Sequence, residues 1–234
     1  MVNNWFDALL DRAFPGHCRR CLEPGIGGLD LCAACYRELP RLRTACSRCA
    51  EPLTDKALLC GQCLREQPAF SAAQVPFLFA PPVSLWITRL KFNDDLAAGR
   101  LLGRLLARSL RTSATVVDGL VPVPLHDSRL RERGFNQARE IARQVSRQLA
   151  LPILDSALIR KRSTPHQTAL PRMERRRNMR QAFAATRATD GLRIALIDDV
   201  VTTGSTADAA ARALRAAGAA DVQVWAVART PKDR

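Results

Sequence analysis

Several things are scarce in this sequence. No cysteine follows Cys63, although eight cysteines lie between Cys18 and that point. Aromatic residues make up 5% of the chain, with a single tyrosine. Only four of the 36 basic residues are lysines, so the positive charge is carried by arginine. No apolar run approaches the roughly 18 to 20 residues that a membrane-crossing helix needs, which excludes such a span. The N-terminus, MVNNWFDALLDRAF, has neither the basic start nor the apolar stretch of a secretory signal. The chain is therefore expected in the cytoplasm, where paired cysteines are metal ligands more often than disulfides.

What is present divides unevenly. Hydrophobic residues reach 47%, enough for a buried core. Residues 1–70 hold nine basic and eight acidic side chains, so +13 of the net +14 falls beyond residue 70. A positive surface favours polyanions such as nucleic acid, an acidic membrane or a polyphosphate ligand. Genomic composition explains an arginine bias equally well, and both readings stay open.

The cysteines fall as four C-x2-C pairs, Cys18/Cys21, Cys32/Cys35, Cys46/Cys49 and Cys60/Cys63, repeating every fourteen residues. Each pair sets two thiolates on a tight knuckle, and two knuckles complete a tetrahedral Zn(Cys)4 site. Two structural zinc ions are expected. Nearest-neighbour pairing gives Cys18/Cys21/Cys32/Cys35 and Cys46/Cys49/Cys60/Cys63, while spacing alone leaves an interleaved pairing open. With four cysteines on each metal no position remains for water or substrate, so these centres fold the chain rather than catalyse. Each is worth on the order of 10 kcal/mol of folding free energy. A redox role for C-x2-C calls for one pair beside a βαβ unit, not four in tandem. His17 reads as a turn residue.

From about Phe70 the pattern changes. Ala72–Ala80 reads as an edge strand interrupted by Pro76, and Pro81-Pro82 opens a helix running to about Phe92. Leu96–Leu110 is helical, with Arg100, Arg104, Arg108 and Arg111 on a face that reads as solvated. Strands are expected at Asp118–Leu125, Ile153–Arg160, Leu192–Val200 and Asp221–Ala228, and helices at Asn136–Leu149 and Ser205–Ala217. Alternating strands and helices imply a parallel sheet covered on both faces, with ligands at the carboxyl ends of the strands.

The most informative stretch is Ile194–Thr206, IALIDDVVTTGST. A strand delivers Asp198 and Asp199, and Thr202, Thr203, Gly204, Ser205 and Thr206 then lead into a helix. Gly204 lets the backbone turn, so that successive amides, the helix N-terminus and three hydroxyls converge on one point suited to a terminal phosphate. Two adjacent carboxylates suit the vicinal hydroxyls of a ribose, a cationic transition state or a metal. A plain strand end and helix cap explain one acid and one hydroxyl but not the whole run. There is no G-K-[ST] and no G-x-G-x-x-G, which excludes a P-loop and a dinucleotide fingerprint.

This run resembles the 5-phosphoribosyl 1-pyrophosphate (PRPP) motif of type I phosphoribosyltransferases. Together with LKFNDD (Leu90–Asp95), VPVPLHDSRLRERGFNQA (Val121–Ala138), LIRKRSTPHQTAL (Leu158–Leu170) and ERRRNMRQAF (Glu174–Phe183), it is similar to the ComF/GntX family over nearly the whole chain. The resemblance implies a type I phosphoribosyltransferase-like parallel sheet flanked by helices over residues 69–234, preceded by a double zinc-ribbon domain over 1–68. It also implies a link to DNA uptake in competence, or to use of DNA as a nutrient.

By position, Asp198 and Asp199 match the acidic pair on the ribose hydroxyls, and Thr202–Thr206 match the 5-phosphate loop. Arg129, Arg131 and Arg133, in the turn Pro124–Arg133, lie where such enzymes place their pyrophosphate loop. Arg160–Arg180, with eight basic residues and one glutamate, lies at the mobile active-site loop. That loop has three readings: closure over PRPP, a track for single-stranded DNA, or a solvated surface. The absence of aromatics before Phe183 weighs against the second. His126 and His166 are left out of the catalytic set.

The expectation is a PRPP-binding protein using Mg²⁺, with transfer of the phosphoribosyl group and release of pyrophosphate. The alternative is a non-enzymatic PRPP sensor or DNA-handling factor, with single-stranded DNA or competence and DNA-processing proteins as partners. Few residues follow the last expected strand, so any acceptor-binding hood is expected from Phe70–Arg111 or the zinc module. Neither names an acceptor, and nothing in the sequence fixes the oligomeric state.

Overall fold

The computed structural model describes residues 16–54, 57–111, 116–161 and 182–231. The chain divides into two compact units, Met1–Pro40 and Arg41–Arg234. This division falls ahead of the boundary expected at 68/69 and leaves the second cysteine cluster in the same unit as the sheet.

The first unit holds helix α1 (Ala33–Arg37) and the first four cysteines. Leu22, just after Cys21, takes a left-handed φ of 67° that closes the knuckle. The amide of Cys18 donates to the Glu23 carbonyl at 2.7 Å. In the second unit the same pattern recurs 28 residues later. Ala50 has φ 56°, the Cys46 amide donates to the Glu51 carbonyl at 2.8 Å, and α2 (Gly61–Arg65) corresponds to α1.

The rest of the second unit is built on a five-stranded, all-parallel sheet. Its strands are β1 (Ala72–Gln74), β2 (Phe77–Leu78), β3 (Gly119–Pro122), β6 (Arg193–Val201) and β7 (Asp221–Arg229). The order is β1-β7-β6-β3, with β2 also on β7. Val75-Pro76 separates β1 from β2, as a residue without an N–H should. Both β6 and β7 are buried almost throughout, as strands covered on two faces must be.

Helices α3 (Val83–Phe92), α4 (Leu96–Leu110) and α6 (Gln137–Leu149) form one flank. Asp95 caps α4 by accepting from the Ala98 amide at 3.0 Å, and Asn136 caps α6 by accepting from the Ala138 amide at 2.9 Å. These two helices pack tightly because Gly103 has no side chain: a Cβ there would lie 2.6 Å from Gln144 Cβ and 2.8 Å from the Ile141 carbonyl oxygen. Of the four arginines expected on a solvated face, Arg100, Arg108 and Arg111 are exposed and Arg104 is half-buried. Helix α7 (Ser205–Ala216) covers the other face through Ala207, Ala210, Ala211 and Leu214, which meet Ile194, Leu196, Val222, Val224 and Ala226.

Two elements differ from the sequence reading. The strand expected over Ile153–Arg160 shrinks to β4 (Leu158–Arg160), which pairs antiparallel with β5 (Phe183–Ala185) outside the main sheet. Ile153 keeps only an isolated parallel bridge to Leu120, because the chain turns at Asp155-Ser156. The turn expected over Pro124–Arg133 contains helix α5 (Asp127–Arg133), ended by Gly134 at φ 77°. No helix among the described residues is long and apolar enough to cross a membrane.

Candidate functional site

Two cysteine clusters form, and they settle the pairing left open by spacing. Cys18, Cys21, Cys32 and Cys35 gather in one cluster, and Cys46, Cys49, Cys60 and Cys63 in the other, with all ligand atoms within 4.8 Å of one another in each. Sulfur separations of 3.5 Å (Cys21–Cys32) and 3.6 Å (Cys49–Cys60) approach the roughly 3.8 Å edge of a tetrahedral Zn–S4 site. Burial disfavours a thiolate at Cys18, but the amides of Cys32, Arg20 and Cys21 outweigh it and bring its pKa down to about 6. At Cys46 the amides of Cys60, Cys49 and Arg48 do the same, to about 7. Burial pushes Cys49 up to about 11 and, with neighbouring thiols adding to it, Cys35 up to about 12. One poised thiolate among thiols that resist ionisation is a donor set that a dication completes.

The second constellation stands at the carboxyl end of β6. The Asp199 amide donates to Asp198 Oδ1 at 2.9 Å and the Val200 amide to Asp199 Oδ1 at 3.0 Å. Burial, and next the Asp199 carboxylate, push the Asp198 carboxyl well above its ordinary range. Beyond the strand, Gly204 turns the chain at φ 81°, in open space. As N-cap of α7 it offers no capping side chain of its own, an arrangement that suits an anion at the helix N-terminus. Thr203 Oγ1 and Ser205 Oγ are 2.8 Å apart, and the Ser205 amide donates to Thr203 Oγ1 at 3.3 Å. Thr202, Thr203 and Ser205 are exposed.

Residues 9–64 match a double zinc ribbon domain and residues 133–234 a phosphoribosyl transferase domain. The chain is 36% identical over 222 residues to the DNA utilization protein YhgH of Escherichia coli O157:H7, covering 92% of this chain and 98% of the relative. The chain belongs to the ComF/GntX family. Competence protein F of Haemophilus influenzae is 35% identical over 64% of this chain and 69% of its own length. Competence protein ComFC of Streptococcus pneumoniae is 28% identical over 65% of this chain and 66% of its own. The two cysteine clusters of this ComF-family chain are thus the metal sites of a double zinc ribbon.

Around the acidic pair the ComF-family fold assembles cations from distant segments. Lys91, near the end of α3, places Nζ 2.5 Å from Asp199 Oδ2. Arg133, at the end of α5, donates to Gln137 Oε1 at 2.6 Å and lies 5.6 Å from the Phe92 ring centroid. Burial lowers its pKa, while the Asp199 carboxylate opposes that shift. Arg160 on β4 lies 5.4 Å from the Phe183 centroid. Burial and then Arg129 lower its pKa, with Asp198 opposing. Arg129, Arg133 and Arg160 therefore share one electrostatic neighbourhood with Asp198 and Asp199, whereas Arg131 is exposed on α5.

Lys91 and Arg160 were not among the site residues expected from the sequence, although the LKFNDD and LIRKRSTPHQTAL segments that hold them were singled out. His126 caps α5, with Nδ1 accepting from the Ser128 amide at 3.3 Å, which accounts for it structurally. His166 and the basic stretch from 162 to 180 lie outside the described residues.

Proposed function

We propose that this chain binds PRPP with Mg²⁺ and transfers its phosphoribosyl group to a nitrogen nucleophile, releasing pyrophosphate. The observation that carries this reading is the sequence of parts along one strand end: the Asp198–Asp199 pair, then an open Gly204 turn, then the N-terminus of α7 with no side chain on its N-cap residue. The 5-phosphate is assigned to Thr202–Thr206. The ribose diol is assigned to the acidic pair, with Asp198 as the main acceptor because Asp199 is already held by Lys91. Pyrophosphate is assigned to the cationic side, Arg129 and Arg133, with Arg160 beside them and Arg131 at the rim.

In the reaction the C1–O bond breaks with its electron pair leaving on pyrophosphate. The nucleophile forms the C1–N bond and gives up a proton. The two carboxylates stabilise positive charge developing on the ribose, and the arginines stabilise the departing anion. The mutual repulsion and burial that raise Asp198 suit a cation nearby, and Mg²⁺ would be held mostly by the ligand's own oxygens, with Asp198 in reach. When bound it neutralises charge on the leaving group.

Calorimetric titration with PRPP, with and without Mg²⁺, tests the reading on the wild type and on Asp198→Asn and Asp199→Asn. Micromolar binding by the wild type, weakened in both variants, supports it; a wild type that does not bind PRPP overturns it. An assay of pyrophosphate release across nitrogenous bases and ammonia separates a transferase from a sensor.

A second reading, handling of single-stranded DNA in the cytoplasm with competence or DNA-processing proteins, is favoured by the positive charge beyond residue 70 and by the DNA-utilization and competence names of the relatives. It requires single-strand affinity that falls steeply with salt and with substitution of Arg175–Arg177. Affinity indifferent to both removes it.

A further inference from the structure

Arg229, the last residue of β7, is 1% exposed. Its Nη1 donates to the Val201 carbonyl at 2.8 Å and also to the Thr202 carbonyl. Its Nη2 donates to the carboxylate of Glu51, whose side chain is 14% exposed. Thr202 begins the loop that precedes α7, and Glu51 lies in the second ribbon, just past Cys49. One buried guanidinium thus spans from a zinc knuckle to the candidate phosphate loop.

Other ties run in parallel. The Ala69 amide, at the exit of the second ribbon, donates to Asp208 Oδ1 at 2.7 Å, and the Asp208 amide donates to the Gly204 carbonyl at 2.9 Å. Cys46, Cys49, Cys60, Cys63 and Phe70 pack in the same apolar cluster as Ala207, Ala210, Ala211 and Leu214 of α7.

The internal repeat separates what the knuckle needs from what is extra. Glu23 occupies the position of Glu51 in the first ribbon, and both backbone carbonyls accept the amide of the first knuckle cysteine. The Glu23 residue is exposed. A knuckle therefore forms with this carboxylate in solvent, and the Glu51 carboxylate is available for Arg229.

Peptide geometry gives the contact its consequence. In a trans peptide the C=O and the following N–H point in opposite directions. Holding the Thr202 carbonyl inward against Arg229 turns the Thr203 amide outward, toward the side where an anion would sit.

We propose that the second zinc ribbon is part of the phosphate site: Glu51 fixes Arg229, and Arg229 fixes the Val201 and Thr202 carbonyls so that the Thr203–Thr206 backbone is set for a phosphate monoester. Glu51 and Arg229 are positioning residues. The ligand assignment rests on the function proposed above; the coupling of ribbon to loop does not.

The test compares Glu51→Gln, Arg229→Lys and the repeat control Glu23→Gln in the full chain. Hydrogen exchange of the 203–206 amides is measured without ligand, alongside zinc content, thermal unfolding and titration with ribose 5-phosphate. Loss of one charge-assisted hydrogen bond is expected to raise exchange at 203–206 about tenfold and to weaken ribose 5-phosphate about tenfold. Both variants are expected to keep two zinc ions, and Glu23→Gln should match the wild type throughout. Arg229→Lys leaves the knuckle untouched and decides the matter if Glu51→Gln loses metal. Unchanged exchange at 203–206 in Arg229→Lys, or an equal change in Glu23→Gln, overturns the proposal. A wild type that ignores both PRPP and ribose 5-phosphate defeats the proposed function, while the exchange comparison still decides the coupling.

Discussion

Lys91 Nζ lies 2.5 Å from Asp199 Oδ2, joining the end of α3 to the carboxyl end of β6. The carboxylate is 4% exposed and the lysine 26%, so the pair is largely withdrawn from water. Asp199 is ion-paired within the protein, and under the proposed function Asp198 is the acid left for the ligand.

Removing the lysine should therefore cost stability as well as function. Lys91→Met is expected to destabilise the fold by about 2 to 3 kcal/mol, below the range for a fully buried pair because the lysine is partly exposed. Pairing it with Asp199→Asn should recover much of that loss, since no buried charge remains alone. Urea unfolding of the two single variants and the double variant gives the coupling directly; additive losses would show that the pair does not act as one.

The raised Asp198 carboxyl sets a pH dependence. A group raised in the native state holds its proton more tightly there than in the unfolded chain. Its contribution to stability is complete below the unfolded value, about pH 4, and is lost as pH climbs toward the native one. Asp198→Asn removes that loss, so its stability relative to wild type should grow from pH 4 toward neutrality while PRPP affinity falls. Thermal melts across that range check the sign, and a constant difference would refute it.

Metal content should respond unequally at the two centres. Cys35→Ser and Cys63→Ser are each expected to lower zinc from two ions per chain toward one. Cys63 shares its apolar cluster with α7, so Cys63→Ser should lower the main thermal transition by more than about 5 °C. Cys35 lies in the other compact unit, and Cys35→Ser should move that transition by less than about 2 °C. Metal analysis with calorimetry separates the two.

Gly103 permits the approach of α4 to α6. A Cβ there would meet the Ile141 carbonyl oxygen at 2.8 Å, and a backbone atom cannot swing aside. Gly103→Val is expected to cost about 1 to 3 kcal/mol, the range for overpacking a close contact. A shift in the denaturant midpoint at unchanged slope measures it.

Those parts of the candidate site that are contiguous in sequence had their local structure legible in sequence. Asp198 through Thr206 carry strand, acids, turn and helix start in one run, and local chemistry dictates each step. The C-x2-C knuckles were legible for the same reason. Lys91 was not, because its meaning lies in a carboxylate far along the chain that only the fold brings near. Pro124–Arg133 read as a turn because it follows the first core strand. His126 capping and a run of helix-compatible arginine, leucine and glutamate make Asp127–Arg133 a helix instead. Ile153–Arg160 read as a sheet strand from its apolar residues, yet Asp155-Ser156 breaks it and diverts its end to β5.

The buried Arg229 also bears on how this chain can be taken apart. Cutting at 68/69, between the last cysteine pair and the first strand, would remove Glu51 and leave a guanidinium sealed inside β7 without its carboxylate. It would also strip the cover from Leu214 and the alanines of α7. A shortened protein intended to keep these contacts should begin at Arg41, where the second compact unit starts. Of two ribbons copied from one pattern, the second shares its apolar cluster with the helix that opens at the candidate phosphate loop.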